Sequence, residues 1–158
     1  MKPILRLGFV DYFERLDDFF IDVLSQKYEI VRDDNQPRYL IFCDETFGQE
    51  NKRFDDNPDV VKIFYTGENR RFWNYKCHKA ITFDHFDNEF HYRLPLYVID
   101  YWMMVNRLGM PTLENVIRRP DDLKTKTGFC GFISGNGVCP QRNAAFHSLS
   151  TYKKVDSY

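Results

Sequence analysis

Four apolar runs of strand length punctuate the first half of the sequence: Ile4 to Val10, Tyr39 to Phe42, Val60 to Tyr65 and Lys79 to Phe83. Runs this short, rich in β-branched and large apolar residues and bounded by turn formers, read as buried strands. After the first of them Tyr12, Phe13, Leu16, Phe19, Phe20, Val23 and Leu24 recur three and four positions apart, with Asp17, Asp18 and Asp22 between them, which predicts an amphipathic helix. Tyr28 to Val31 is a further short apolar run, and Asp33-Asp34-Asn35-Gln36-Pro37 supplies a turn before the next strand. Strand, helix and strand in this order predict an α/β fold, a Rossmann-like layered sheet flanked by helices.

Further along, Asp44 to Pro58 is polar and reads as loop, and Thr66-Gly67-Glu68-Asn69 ends a strand in a turn. Arg93-Leu94-Pro95 is a short extended segment, and Leu96 to Val105, apolar on nearly all sides, predicts a buried helix. From Asn106 to Thr127 the composition turns polar, with Pro111, Pro120, Arg118-Arg119 and Asp121-Asp122, as in a linker. Phe129 to Ser134 then predicts a strand, Gly135-Asn136-Gly137 a tight turn and Pro140 to Ser150 a helix, with Val155 at the start of a possible next strand. The expected organisation is a first lobe over residues 1–106, a linker over 107–127, and over 128–158 the opening strand and helix of a second lobe that is cut short. One strand and one helix cannot bury a core of their own.

Charge and composition narrow the function. Lys and Arg number 22 against 23 Asp and Glu, so no broad basic surface for phosphate contacts is expected and nucleic acid is a poor partner. Aromatic residues make up 17% of the chain, enough for a dense core and for platforms on which sugars stack. The apolar stretches on either side of Asp100 are far shorter than the ~20 residues of a membrane helix, and Arg6 and Asp11 interrupt any signal-peptide apolar region. The expectation is a cytoplasmic chain without a membrane span. Cys43, Cys77, Cys130 and Cys139 are scattered, with no Cys-x-x-Cys pair, and read as reduced thiols.

Three places invite chemistry. Glu68 follows the carboxyl end of a strand, where open α/β sheets bind ligands. A carboxylate partly desolvated there could act as a general base, although on position alone a solvated turn carboxylate is the more ordinary reading. The strand, glycine turn and proline-started helix from Phe129 to Ser150 would present unpaired N–H groups and Arg142 to a diphosphate, but without a third glycine or a Gly-Lys-Ser/Thr they match no established phosphate loop. Asp84, His85, Asp87, Glu89 and His91 lack the spacing of a metal site, so a solvated loop and no metal are expected there.

Taken together, Lys62-Ile63-Phe64-Tyr65-Thr66-Gly67-Glu68-Asn69, Ala80-Ile81-Thr82-Phe83-Asp84 with Tyr92-Arg93-Leu94-Pro95-Leu96-Tyr97, and Gly131-Phe132-Ile133-Ser134-Gly135-Asn136 leading to Arg142-Asn143 resemble the α-1,3-fucosyltransferases of glycosyltransferase family 10. The resemblance implies the first lobe of a two-lobed, GT-B type glycosyltransferase that moves L-fucose from GDP-fucose to a glycan hydroxyl, with inversion and no further cofactor. It implies that Glu68 is the general base, that Arg142 and Asn136 serve the donor, and that Asn69, Asp84 and Arg93 lie on the acceptor side. The family's later donor segment, of Tyr-x-Thr-Glu-Lys type, has no counterpart here, nor does the membrane anchor of animal members, so the chain is more similar to soluble bacterial or viral members. A second reading stays open: a non-catalytic glycan-binding remnant or split subunit, joined through its incomplete second lobe to a partner chain or to itself.

Overall fold

The computed structural model describes residues 1–12, 16–46, 48–110, 124–135 and 137–157. The chain folds as two compact units, Met1–Pro111 and Thr112–Tyr158. The first contains β1 (Ile4–Val10), α1 (Leu16–Ser25), β2 (Glu29–Arg32), β3 (Tyr39–Phe42), β4 (Val61–Tyr65), β5 (Lys79–Thr82), β6 (His91–Arg93) and α2 (Leu96–Asn106), with 3-10 turns at Glu50–Phe54 and Phe72–Asn74. Its six strands form one sheet in the order β2-β1-β3-β4-β5-β6, every pairing parallel. This is the α/β layered sheet expected from the sequence.

Both faces of the inner strands are covered, which is why they read as unbroken apolar runs rather than as alternating ones. Residues two apart share a face. Leu7 and Phe9 of β1, Ile41 at the centre of β3, Cys43 just beyond it and Tyr65 of β4 pack against Leu16, Phe19 and Phe20 of α1 and Ile99 of α2. On the other face Val10, Leu40, Phe42 and Phe64 meet Phe54 and Val60, with Phe72 and Tyr75 laid over them. Tyr75 stacks on Phe64 with ring centroids 4.2 Å apart. Lys62, on this second face, is only 1% exposed, and its ammonium pairs with Asp55 and lies 5.4 Å from the Phe42 ring centroid. Gly8 has to be glycine: a Cβ there would stand 2.8 Å from the Asp33 carbonyl oxygen and 2.9 Å from Pro37 Cβ, so the turn before β3 rests on the β1 backbone.

Two expectations change. The run Leu96 to Val105 is a helix, as predicted, but only Ile99 of α2 is buried, while Leu96 is 41% and Tyr97 68% exposed. Apolar residues surround α2, yet its packing within its unit centres on Ile99, which joins the core, and on Trp102, which meets Phe19 edge-on at 5.5 Å. The expected loop over Asp44 to Pro58 contains an ordered 3-10 turn, because the buried Asp11 carboxylate accepts the backbone N–H groups of Glu50 (3.2 Å) and Asn51 (3.0 Å) at its start. Asp11 itself adopts φ 51°, in the left-handed region that aspartate tolerates better than most residues.

The second unit holds β7 (Cys130–Phe132), α3 (Pro140–Tyr152) and β8 (Val155–Ser157), a βαβ arrangement with β7 and β8 parallel. Pro140 opens α3 at its first turn, where its missing N–H costs nothing. Phe132 faces Phe146 at 5.1 Å and Phe129 faces Tyr152 at 5.6 Å. Val155 is the one buried apolar residue among the described residues of this unit. Among the described residues no helix is long and apolar enough to cross a membrane.

Candidate active site

Because all strands of the large sheet are parallel, their carboxyl ends share one edge, and an acidic residue follows each of four neighbours there: Asp11 after β1, Asp44 after β3, Glu68 after β4 and Asp84 after β5. β2 lies on one side of β1 and β3 to β6 on the other, so the strand order reverses at β1 and the crevice of an open α/β sheet belongs at this edge. A pocket of about 280 Å³ opens there, lined by Cys43, Asp44, Tyr65 and Glu68 from the strand ends and by Leu96 and Ile99 from α2.

Glu68 occupies its rim. Its backbone N–H donates to Thr66 Oγ1 at 3.0 Å, and its carbonyl accepts the Arg70 N–H at 2.7 Å. Thr66, 2% exposed, donates its hydroxyl to Asp44 Oδ1 at 3.1 Å, and the other Asp44 oxygen lies 3.1 Å from Arg70 Nε. Gly67 lets α2 close on this turn, since a Cβ there would meet Leu96 Cδ1 at 2.9 Å. The Glu68 side chain is exposed and forms no ion pair among the described residues. The desolvation expected of it from position is therefore not built into the turn and would have to come from a ligand that excludes water.

Below Glu68 the pocket wall mixes apolar Leu16, Leu96, Ile99 and Met103 with polar Asp44, Thr66 and Asp100, and the Tyr65 hydroxyl is buried with no hydrogen-bond partner among the described residues. Burial, then the charges at Cys43 and Asp100, raises its ionisation well above the usual phenol range, so the group is a neutral donor. On the outer side of Asp44, burial and then the Asp44 charge push the Tyr75 phenol up.

The other expected site residues are placed as follows. Asn69 is exposed on the Glu68 turn. Asp84 is held by Arg71, with Nη1 to Oδ1 3.4 Å, and its N–H donates to Thr82 Oγ1 at 3.1 Å. Arg93 ends β6 and donates through Nε to the Phe83 carbonyl at 3.1 Å, bracing the exit of β5. His91 lies in β6 with Nε2 2.9 Å from Thr82 Oγ1, so the segment read as a solvated loop feeds an edge strand. In the second unit Arg142 reaches Ser134 Oγ at 3.1 Å, and Asn143 Nδ2 donates to the Gly137 carbonyl at 2.8 Å. Asn136 lies outside the described residues. Among the described residues no group of three or more His, Cys, Asp or Glu side chains is placed to hold a metal ion.

Asp44 and Tyr65 were not singled out from sequence. The rule that marked Glu68, a carboxylate just past a buried strand, applies equally to Asp44 after Phe42-Cys43.

Comparison with known proteins agrees with this architecture. Two solved structures are similar over 99% of the chain: one described as an α1,3-fucosyltransferase, with TM-score 0.70, 23% identity and 54% of its own length covered, and one described as α1,3-fucosyltransferase with GDP-fucose, with TM-score 0.61, 21% identity and 53% covered. At that identity the likeness carries the fold, and the chain spans about half the length of these solved relatives. No curated protein matches. Residues 5–100, which include the sheet, the Glu68 turn and the start of α2, match the family model described as the Alpha-(1,3)-fucosyltransferase FucT N-terminal domain, and the chain belongs to that family.

Proposed function

We propose that this chain is the acceptor-side lobe, with the opening of the donor lobe, of an inverting α-1,3-fucosyltransferase that moves L-fucose from GDP-fucose to a hydroxyl of an N-acetylglucosamine-containing or related glycan. The observation that carries the reading is the exposed carboxylate of Glu68, without an ion pair among the described residues and held at the rim of a pocket at the carboxyl edge of the sheet within the family-matched segment. One of the similar solved structures is described with GDP-fucose, which supports that donor.

In this scheme the acceptor hydroxyl gives its proton to Glu68 as its oxygen bonds to C1 of fucose, while the bond from C1 to the phosphate oxygen breaks and GDP departs with the electron pair. Attack from the face opposite the leaving group inverts the anomeric centre through an oxocarbenium-like transition state. Arg142, with Asn136 near it in sequence, would take the donor diphosphate and offset the charge growing on it. Asn69 would face the acceptor with Glu68, whereas Asp84 and Arg93 would shape the acceptor side through the Arg71 pair and the β5 exit. The scheme draws on no metal ion. A cytoplasmic setting belongs to the same reading, and the reduced cysteines Cys43, Cys77, Cys130 and Cys139 suit it.

The test is Glu68→Gln in a fusion that supplies the remaining donor lobe of a solved relative. Transfer should fall by about two to four powers of ten with folding intact. Turnover close to wild type would remove Glu68 as the base. A second reading is a non-catalytic glycan-binding chain that works with a partner supplying the donor lobe. On both readings the chain alone should bind GDP-fucose weakly, and calorimetry giving micromolar affinity for it would count against both.

A further inference from the structure

We propose that Asp44 is a positioning residue for Glu68, acting through the Thr66 hydroxyl; the catalytic meaning of this role rests on the reading of Glu68 as the base. Thr66 has one hydroxyl hydrogen and two lone pairs, and an ionised Asp44 can only accept. The 3.1 Å contact between Thr66 Oγ1 and Asp44 Oδ1 therefore fixes the hydroxyl hydrogen toward Asp44. A lone pair of Oγ1 is left facing the Glu68 N–H, which donates to it at 3.0 Å. Thr66 is 2% and Asp44 8% exposed, so water competes little for either group.

The second Asp44 oxygen holds Arg70 Nε at 3.1 Å, and the Arg70 backbone N–H donates to the Glu68 carbonyl at 2.7 Å. Asp44 thus stands behind both backbone polar groups of Glu68: the N–H through Thr66 and the C=O through Arg70. The strand end of β3 sets the orientation of a residue after β4, and the Glu68 carboxylate takes no part in the restraint. A base held in this way keeps its side chain uncommitted while its Cα is fixed, which is the arrangement proximity requires of a group that must meet a hydroxyl at hydrogen-bond distance.

The experiment is solvent-exchange NMR on the full chain, comparing the Glu68 amide in wild type, Asp44→Ala, Thr66→Val and Thr66→Ser, with the Phe64 amide in the core of β4 as the internal standard of folding. Asp44→Ala and Thr66→Val should each speed Glu68 exchange by about tenfold, the worth of one well-made hydrogen bond, with Phe64 unchanged. Thr66→Ser, which keeps the hydroxyl, should restore wild-type protection, a rescue that loss of packing alone would not give. Wild-type protection of Glu68 in Asp44→Ala would overturn the proposal, as would failure of serine to restore it. Exchange is measured without turnover, so the proposal can fail while the base reading stands, and the Glu68→Gln transfer assay judges that reading separately.

Discussion

Replacing Tyr65 with phenylalanine should stabilise the first unit. The Tyr65 ring is 3% exposed and packs edge-on against Phe20 with centroids 5.4 Å apart, a contact that phenylalanine keeps. The substitution removes a hydroxyl that is buried without a partner. Because burial and the neighbouring charges raise the ionisation of that phenol, the penalty removed is that of an unpaired neutral O–H, about 1–3 kcal/mol. The void left is smaller than a methyl group and returns roughly 1 kcal/mol or less. A net gain of about 1 kcal/mol should raise Tm by roughly 4–8 °C for a unit near a hundred residues. The assay is simplified by the two tryptophans, Trp73 and Trp102, both in the first unit, so fluorescence in urea follows that unit alone. A lower midpoint for Tyr65→Phe than for wild type would refute the reasoning, because it would mean that the hydroxyl gains more from a partner in solution than its burial costs.

The Lys62–Asp55 pair should be asymmetric to substitution. Asp55→Ala strands a buried ammonium and should cost about 3 kcal/mol, the low end for a broken buried pair because Asp55 still reaches water, whereas Lys62→Met should cost about 1 kcal/mol or less by urea titration. The hydrogen bond from Lys62 holds the Asp55 carboxyl below its ordinary value, so its contribution is complete above that value and is lost as pH falls through the depressed one. Acid unfolding of Lys62→Met should accordingly show a smaller loss of stability over that range. Thiol labelling followed by peptide mass analysis should find Cys130 and Cys139 modified first and Cys77, whose thiol burial pushes up, later; Cys43, 1% exposed, should react only on unfolding.

What was legible in the sequence follows from how each element is held. β1, β3, β4 and β5 have neighbours on both sides and cover on both faces, so their burial is written as continuous apolar runs. β6 is different: His91, Tyr92 and Arg93 form an edge strand, with Tyr92 67% exposed, and its place is set by register with Ala80 to Thr82 rather than by its own hydrophobicity. The 3-10 turn at Glu50–Phe54 depends on Asp11, some forty residues away, and no local pattern carries such a contact. Lys62 escaped notice because a single charge inside an apolar run does not announce its partner. The position of Glu68 was legible because it follows a recognisable strand end, while Asp44, at an equivalent position, lies in a polar segment whose composition says only loop.

The strand ends also show how two neighbouring carboxylates of this edge differ, one engaged by its surroundings and the other left exposed. β4 and β5 finish in the same device, a threonine whose hydroxyl oxygen accepts the N–H two residues on: Thr66 from Glu68 at 3.0 Å and Thr82 from Asp84 at 3.1 Å. In the second case the carboxylate is consumed by its surroundings. Asp84 Oδ2 lies 3.4 Å from the oxygen of its own Thr82, Oδ1 lies 3.4 Å from Arg71 Nη1, and the Arg71 guanidinium is in turn set 5.8 Å from the Phe83 ring centroid. A carboxylate so engaged would have to break an ion pair before it could accept a proton from a substrate. In the first case the orienting acceptor is supplied by Asp44 from the neighbouring strand end, and the exposed Glu68 carboxylate makes no ion pair among the described residues. The two strand ends thus differ in what surrounds the threonine hydroxyl: the Asp44 carboxylate from a neighbouring strand end at Thr66, and at Thr82 the Asp84 carboxylate at 3.4 Å together with His91 Nε2 at 2.9 Å.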